Sequence, residues 1–298
     1  MCVAFYTLEH PEYALILCAN RDEYLSRPTE QAAFHSFGQT TEHSLGDGRV
    51  LSGIDIRAGG TWLGIDRSGK IALLTNITEP ATQQGSSRGH LVASFLTADS
   101  LRYPLVDNLQ HLFPRDAKYA GFNLLLLAPS STHEEQGLSF DSAYVTNRGA
   151  GGNLTIHSLT DAQRRCGGIS NGIDGKGADQ WPKVHHGLHS LQSIIDTPPP
   201  HESEEQLAER LFALLTWTSS ELPRARCELR NTIQVQPLVI GDSEDYYGTR
   251  LSTVILIKRS GEVLFIERDR WKALDDGQPK LANPSSQRIF RFKLLETE

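Results

Sequence analysis

The chain has 298 residues, 39% of them hydrophobic, with 29 Lys and Arg against 36 Asp and Glu and a formal net charge of −7. That length and apolar content support a sizeable core, in one large domain or two small ones, and argue against a disordered chain. The acidic balance and the lack of any basic run exclude the electrostatic footprint of a nucleic-acid binder.

In chain order, 3–8 and 14–19 read as a hairpin across the polar turn 9–12. Residues 61–65 and 70–75 form a second, whose turn Asp66-Arg67-Ser68-Gly69 ends on a glycine that can supply positive φ. Helices are expected at 88–96 and 101–112, followed by consecutive buried strands at 121–127, 142–146 and 154–159. Two further helices are expected at 180–195 and 203–217, the latter behind a Ser203 cap with Glu204 and Glu205 in its first turn. A late hairpin pairs 253–257 with 262–267. It follows Gly248-Thr249 as the earlier one follows Gly60-Thr61, which suggests two comparable sheets facing each other. Few, grouped helices among many strands make this α+β rather than alternating βαβ.

No apolar run reaches the roughly 18 residues needed to span a bilayer, and Glu9, His10, Pro11 and Glu12 interrupt the first apolar stretch. Cys2, Cys18, Cys166 and Cys227 contain no CxxC pair, so reduced thiols and a cytoplasmic location are expected. His185, His186 and His189 lack the glutamate of a zinc-protease helix and read as a solvated helix face, with no metal site.

The residue with most chemical content is Cys2. Removal of Met1 would leave a thiol and an α-amine on one Cα, so that nucleophile and base are placed by covalent geometry. The alternative is the start of a buried strand, and Cys2 alone does not separate the two. The second strand ends in Asn20-Arg21-Asp22-Glu23, and antiparallel pairing with the first brings Asp22 near Cys2. Either Asp22 orients the α-amine, or the tetrad is a turn with an Arg21–Glu23 ion pair. Asn76 closes another apolar strand, as an oxyanion donor or as a turn residue.

Met-Cys at the N-terminus, Asn20-Arg21-Asp22-Glu23, Ser26-Arg27-Pro28, Gly59-Gly60-Thr61-Trp62-Leu63-Gly64 and Ala72-Leu73-Leu74-Thr75-Asn76 belong to one ordered set. Arg88-Gly89-His90-Leu91, Gly121-Phe122-Asn123-Leu124, Ser170-Asn171-Gly172 and Tyr247-Gly248-Thr249-Arg250 complete it. Together they resemble the NRDE family, also called the transport and Golgi organisation protein 2 family, over nearly the whole chain, which implies a single domain over residues 1–298. The resemblance implies a four-layer αββα sandwich of two antiparallel sheets, the N-terminal nucleophile hydrolase fold. It also implies a cytoplasmic protein with peripheral or indirect Golgi or mitochondrial association, and a role in Golgi organisation and secretion. No fixed cofactor comes with it; acyl-CoA, lipid or haem is the implied ligand.

The cysteine hydrolases of that fold are similar at fewer positions. They imply Cys2 as nucleophile, Asp22 as orienting carboxylate, Asn76 and Asn171 as oxyanion donors, and Arg250 as the holder of Asp22 or of a substrate carboxylate. In those enzymes an arginine shortly precedes the aspartate with residues between; here Ala19 occupies that spot. Arg21 abuts Asp22 and should point to the opposite face of a strand. Two functions follow: a carrier of an acyl-CoA, lipid or haem ligand, and an N-terminal cysteine amidohydrolase or thioesterase.

Overall fold

The computed structural model describes residues 2–37, 48–80, 86–98, 105–113, 118–130, 137–241 and 243–295. The chain divides into two compact units, the first comprising Met1–Arg27, Asp161–Lys258 and Glu262–Phe292, the second Pro28–Thr160 with Arg259–Gly261 and Lys293–Glu298.

Strands and helices are numbered along the chain. In the first unit β1 (Val3–Thr7), β2 (Tyr13–Tyr24), β10 (Gly167–Ile169), β11 (Leu238–Val239), β12 (Tyr246–Lys258), β13 (Glu262–Asp269) and β16 (Gln287–Lys293) form an antiparallel sheet. Its order is β10-β1-β2-β12-β13-β16, with β11 beside β12. A separate hairpin joins β14 (Trp271–Ala273) to β15 (Pro279–Leu281). The helices are α3 (Asp161–Arg165), α4 (Pro182–Asp196) and α5 (Glu204–Leu214).

Alternate residues of this sheet, including Val3, Phe5, Ile16, Cys18, Val254 and Leu256, pack against Leu191 and Ile194 of α4 and Leu207, Leu211 and Phe212 of α5. The α5 start is fixed by a capping box. The Ser203 hydroxyl accepts from the Gln206 amide at 3.2 Å, and the Gln206 side chain accepts from the Ser203 amide at 2.8 Å. Helix α4 begins with Pro182 in its first turn, where no amide hydrogen is needed. It lies against β1 at Gly187, where a Cβ would stand 1.9 Å from Phe5 Cζ, so only hydrogen fits.

In the second unit β3 (Thr29–His35), β4 (Val50–Asp55), β5 (Leu63–Asp66), β6 (Ile71–Asn76), β7 (Phe122–Pro129), β8 (Phe140–Thr146) and β9 (Thr155–His157) form an antiparallel sheet in sequence order. Helices α1 (Gly89–Thr97) and α2 (Leu105–Leu112) pack on it through Leu91, Phe95, Leu105 and Leu109 against Leu74, Leu124, Leu126 and Val145. Gly69 takes φ +96°, as the β5–β6 turn requires, and Gly261 takes φ +84° between β12 and β13.

The three expected hairpins, the four helices and the mixed α and β class are present, with β1–β2 and β12–β13 in the first seven-stranded sheet and β5–β6 in the second. Of the helix expected at 101–112, residues 101–104 lie outside the described residues. The tetrad is not a turn. Strand β2 runs on to Tyr24, because β12 pairs with it as far as Tyr247↔Tyr24. Among the described residues no helix is long and apolar enough to cross a membrane.

Candidate active site

Position 2 stands just ahead of β1. Val3 lies opposite Asn20, and Ala4 lies opposite Ala19 of β2 on one side and Ile169 of β10 on the other. Continuing both registers by two residues sets Arg21 and Asn171 on either side of Cys2. The half-buried Cys2 Sγ lies 4.0 Å from the carbonyl oxygen of Asp22. The Ser170 hydroxyl stands between the Cys2 carbonyl oxygen, at 3.1 Å, and Asn171 Oδ1, at 3.3 Å. Cys2, Asp22 and Asn171 are thus gathered at one end of the first sheet by strand pairing alone.

Asp22 is held from β12. Its Oδ1 accepts from the Thr249 hydroxyl at 2.6 Å, and its carbonyl oxygen accepts from the Tyr247 hydroxyl at 3.0 Å. Asn20, two residues earlier on the same face, has a structural task. Its amide donates to the carbonyls of Leu215 at 2.8 Å and Ile233 at 3.1 Å, and its oxygen accepts from Ser252 at 2.6 Å. Arg21 lies opposite Leu251, out of phase with Asp22 as its adjacency implies. Glu23 Oε1 accepts from the Tyr24 amide at 2.9 Å, and Glu23 Oε2 lies 3.9 Å from Arg27 Nε.

Arg250 falls at the register shift between Thr249 and Leu251, and its Nη1 donates to the carbonyls of Tyr24 and Arg27. It fastens the segment leaving β2, and its neighbour Thr249 donates to Asp22 Oδ1. Burial and the Arg21 charge bring the Arg250 guanidinium down to about 10. Asn76 belongs to the second unit, where it ends β6 opposite Phe122 in an exposed position. Met1 lies outside the described residues.

A residue the sequence reading passed over completes the cluster. Lys183, in the first turn of α4, is fully buried, and its Nζ donates to Asn171 Oδ1 at 3.2 Å. Burial lowers its amine to about 8, against the opposing influence of Asp22 and Cys2. Burial also pushes the Cys2 thiol above its ordinary value; the Asp22 charge adds to that, and the Arg21 charge opposes it. A signal for Lys183 was there to be read. It sits four residues before Gly187 and eight before Leu191, on the buried stripe of α4. Further along α4, His186 is not on a solvated face but stacks on Trp217 with ring centroids 4.0 Å apart.

The family profile described as Transport and Golgi organisation 2 matches residues 1–272. The chain belongs to the Transport and Golgi organisation 2 family. It is similar to the Transport and Golgi organization protein 2 homolog of Bos taurus, 32% identical over 289 residues that cover 90% of this chain and 92% of that one. To the homologous human protein it is 32% identical over 285 residues, with the same two coverages. The Drosophila melanogaster family protein is 28% identical over 284 residues, covering 90% and 91%. Among solved structures, a conjugated bile acid hydrolase variant from Clostridium perfringens aligns with a TM-score of 0.52 at 9% identity, over 98% of this chain and 97% of that one. That likeness shows a shared fold of the N-terminal nucleophile hydrolase type for this Transport and Golgi organisation 2 family member.

Proposed function

We propose that this family member works on acyl groups through Cys2, as a cysteine hydrolase of an acyl thioester or amide, in the service of Golgi organisation and secretion. The observation that carries the reading is the convergence of Cys2, Asp22 and Asn171 at the end of one sheet. A thiol needs a base, an orienting carboxylate and an oxyanion donor to cleave an acyl bond. Asp22 is the carboxylate, held at a fixed position by Thr249. The side-chain amide of Asn171 is the donor: its oxygen accepts from Lys183 and Ser170, and its NH2 is the donor end of the same group. With Met1 removed, the Cys2 α-amine stands ready to take the thiol proton. The thiolate then forms the acyl-enzyme, and water releases the acid.

The experiment is intact-mass analysis of the full chain after incubation with a long-chain acyl-CoA, with and without Met1. An acyl adduct that maps to Cys2 and is lost in Cys2→Ser is expected. No adduct and no Cys2-dependent turnover overturns the reading.

A second reading is favoured by the upward push that burial gives the Cys2 thiol, which disfavours a resting thiolate. In it the chain carries an acyl-CoA, lipid or haem ligand without cleaving it, and Cys2→Ser leaves ligand affinity intact.

A further inference from the structure

A lysine with no exposed surface is costly, because burial penalises the ammonium, and such a side chain is seldom found without polar partners. Lys183 is one. Its partner Asn171 shares the Ser170 hydroxyl with the backbone of Cys2, so Lys183, Asn171, Ser170 and Cys2 form one connected group. The groups that bear on the Lys183 amine are Asp22 and Cys2 itself, and Arg21 bears on Cys2 from β2. Among the ionisable side chains near α4 in sequence or packing, His185 and His189 are exposed and His186 is occupied with Trp217. Asp179, Arg226, Glu228 and Arg230 are exposed as well. On α5, Glu204 and Glu205 pair with Arg291, Glu209 with Arg268, and Arg210 with Glu202. Asp22 and Cys2, the carboxylate and the nucleophile candidate, both act on this amine.

Resting on the reading of Cys2 as nucleophile, we propose that Lys183 is the proton acceptor for the Cys2 thiol, which makes the site competent whether or not a free α-amine is present. The thiol proton passes from Sγ to the neutral Lys183 amine, and the thiolate bonds to the acyl carbon. The resulting ammonium gives that proton to the departing thiol or amine as the old acyl bond breaks. In the second half, Lys183 takes a proton from the attacking water and returns it to Sγ as the acid leaves. An amine held near about 8 exchanges protons at cytoplasmic pH with little penalty in either direction. Asn171 keeps the amine in place and is itself kept in the orientation that presents its NH2.

The test separates this role from a structural one, and from failure of the hydrolase reading, by following the thiol directly. The rate of Cys2 alkylation by iodoacetamide is measured against pH by peptide mass spectrometry on the full chain, for wild type, Lys183→Met and Lys183→Arg. Loss of the amine is expected to raise the Cys2 inflection by about one pH unit and slow labelling near neutrality about tenfold. Lys183→Arg, which supplies charge and cannot accept a proton, is expected to restore the inflection and still fail to turn over acyl-CoA. A Lys183→Met profile that superimposes on wild type overturns the proposal, whatever the outcome of the acyl-CoA experiment. Should Lys183→Met fail to fold, Lys183→Gln, which keeps a donor for Asn171 Oδ1 without the charge, decides the point by the same curve.

Discussion

Thr249 donates its hydroxyl to Asp22 Oδ1 at 2.6 Å across the β2–β12 ladder, and Thr249 Oγ1 in turn accepts from the Val235 amide at 2.8 Å. One fully buried hydroxyl therefore positions a carboxylate and closes a backbone group. Thr249→Val keeps the shape and removes both bonds. It is expected to cost about 1–3 kcal/mol in urea denaturation, with Thr249→Ser near wild type. Equal stability of the Val and Ser variants would show that the hydroxyl is not what fixes Asp22.

Asn20 is the tetrad residue whose loss should harm the fold most. Asn20→Ala abandons two carbonyls and the Ser252 hydroxyl, and a loss on the order of 3 kcal/mol is expected. Asn20→Asp should be worse at neutral pH, since it turns an acidic oxygen toward the carbonyls of Leu215 and Ile233. Chemical denaturation of the two variants side by side checks the order.

Gly187→Ala improves helix propensity by about 1 kcal/mol in isolation, yet here the new methyl meets the Phe5 ring. A net destabilisation of about 1–3 kcal/mol is expected from the displaced ring. Phe5→Leu introduced into Gly187→Ala should recover part of that loss, measured as a non-additive double-mutant cycle.

Asp269 sets an acid limb. Burial works against its ionisation, but hydrogen bonds from Arg288, Lys272 and Ser286 outweigh it and hold the carboxyl at about 2. A depressed carboxyl contributes stability that is present above the unfolded value, near about 4, and is lost as pH falls through about 2. Asp269→Asn should therefore lose about 2 kcal/mol at neutral pH and flatten the stability profile between about pH 4 and 2. An unchanged acid limb in the variant would assign it to other groups.

The hairpins were legible because their signals are local: apolar runs, polar turns, and Gly69 or Gly261 where positive φ is needed. The Ser203 start of α5 was legible for the same reason. What the tetrad does was not, because Asn20 and Asp22 take partners from Ser252 and Thr249, 232 and 227 residues away. Strands β3 and β16 escaped notice since Thr29, Glu30, Gln31, Arg288 and Arg291 break the apolar pattern that marks a strand. Lys183 was masked by its type. A lysine in a first helical turn reads as solvent-facing until the Gly187, Leu191 and Ile194 phase is counted back to it.

The long pairing of β2 with β12 also orders events during synthesis. Residues 13–24 leave the ribosome early, but the strand that completes their ladder is Tyr246–Lys258, so loop closure over more than two hundred residues must come first. Until then β2 has an open edge carrying Arg21 and Asp22, and Asp22 lacks its Thr249 donor. A nascent chain stopped before β12 should hold Cys2 in an unfinished sheet, recognisable by chaperones and chemically idle. On the proposed role of Cys2, the carboxylate at its side gains its fixed position only once residues 246–258 have joined the chain.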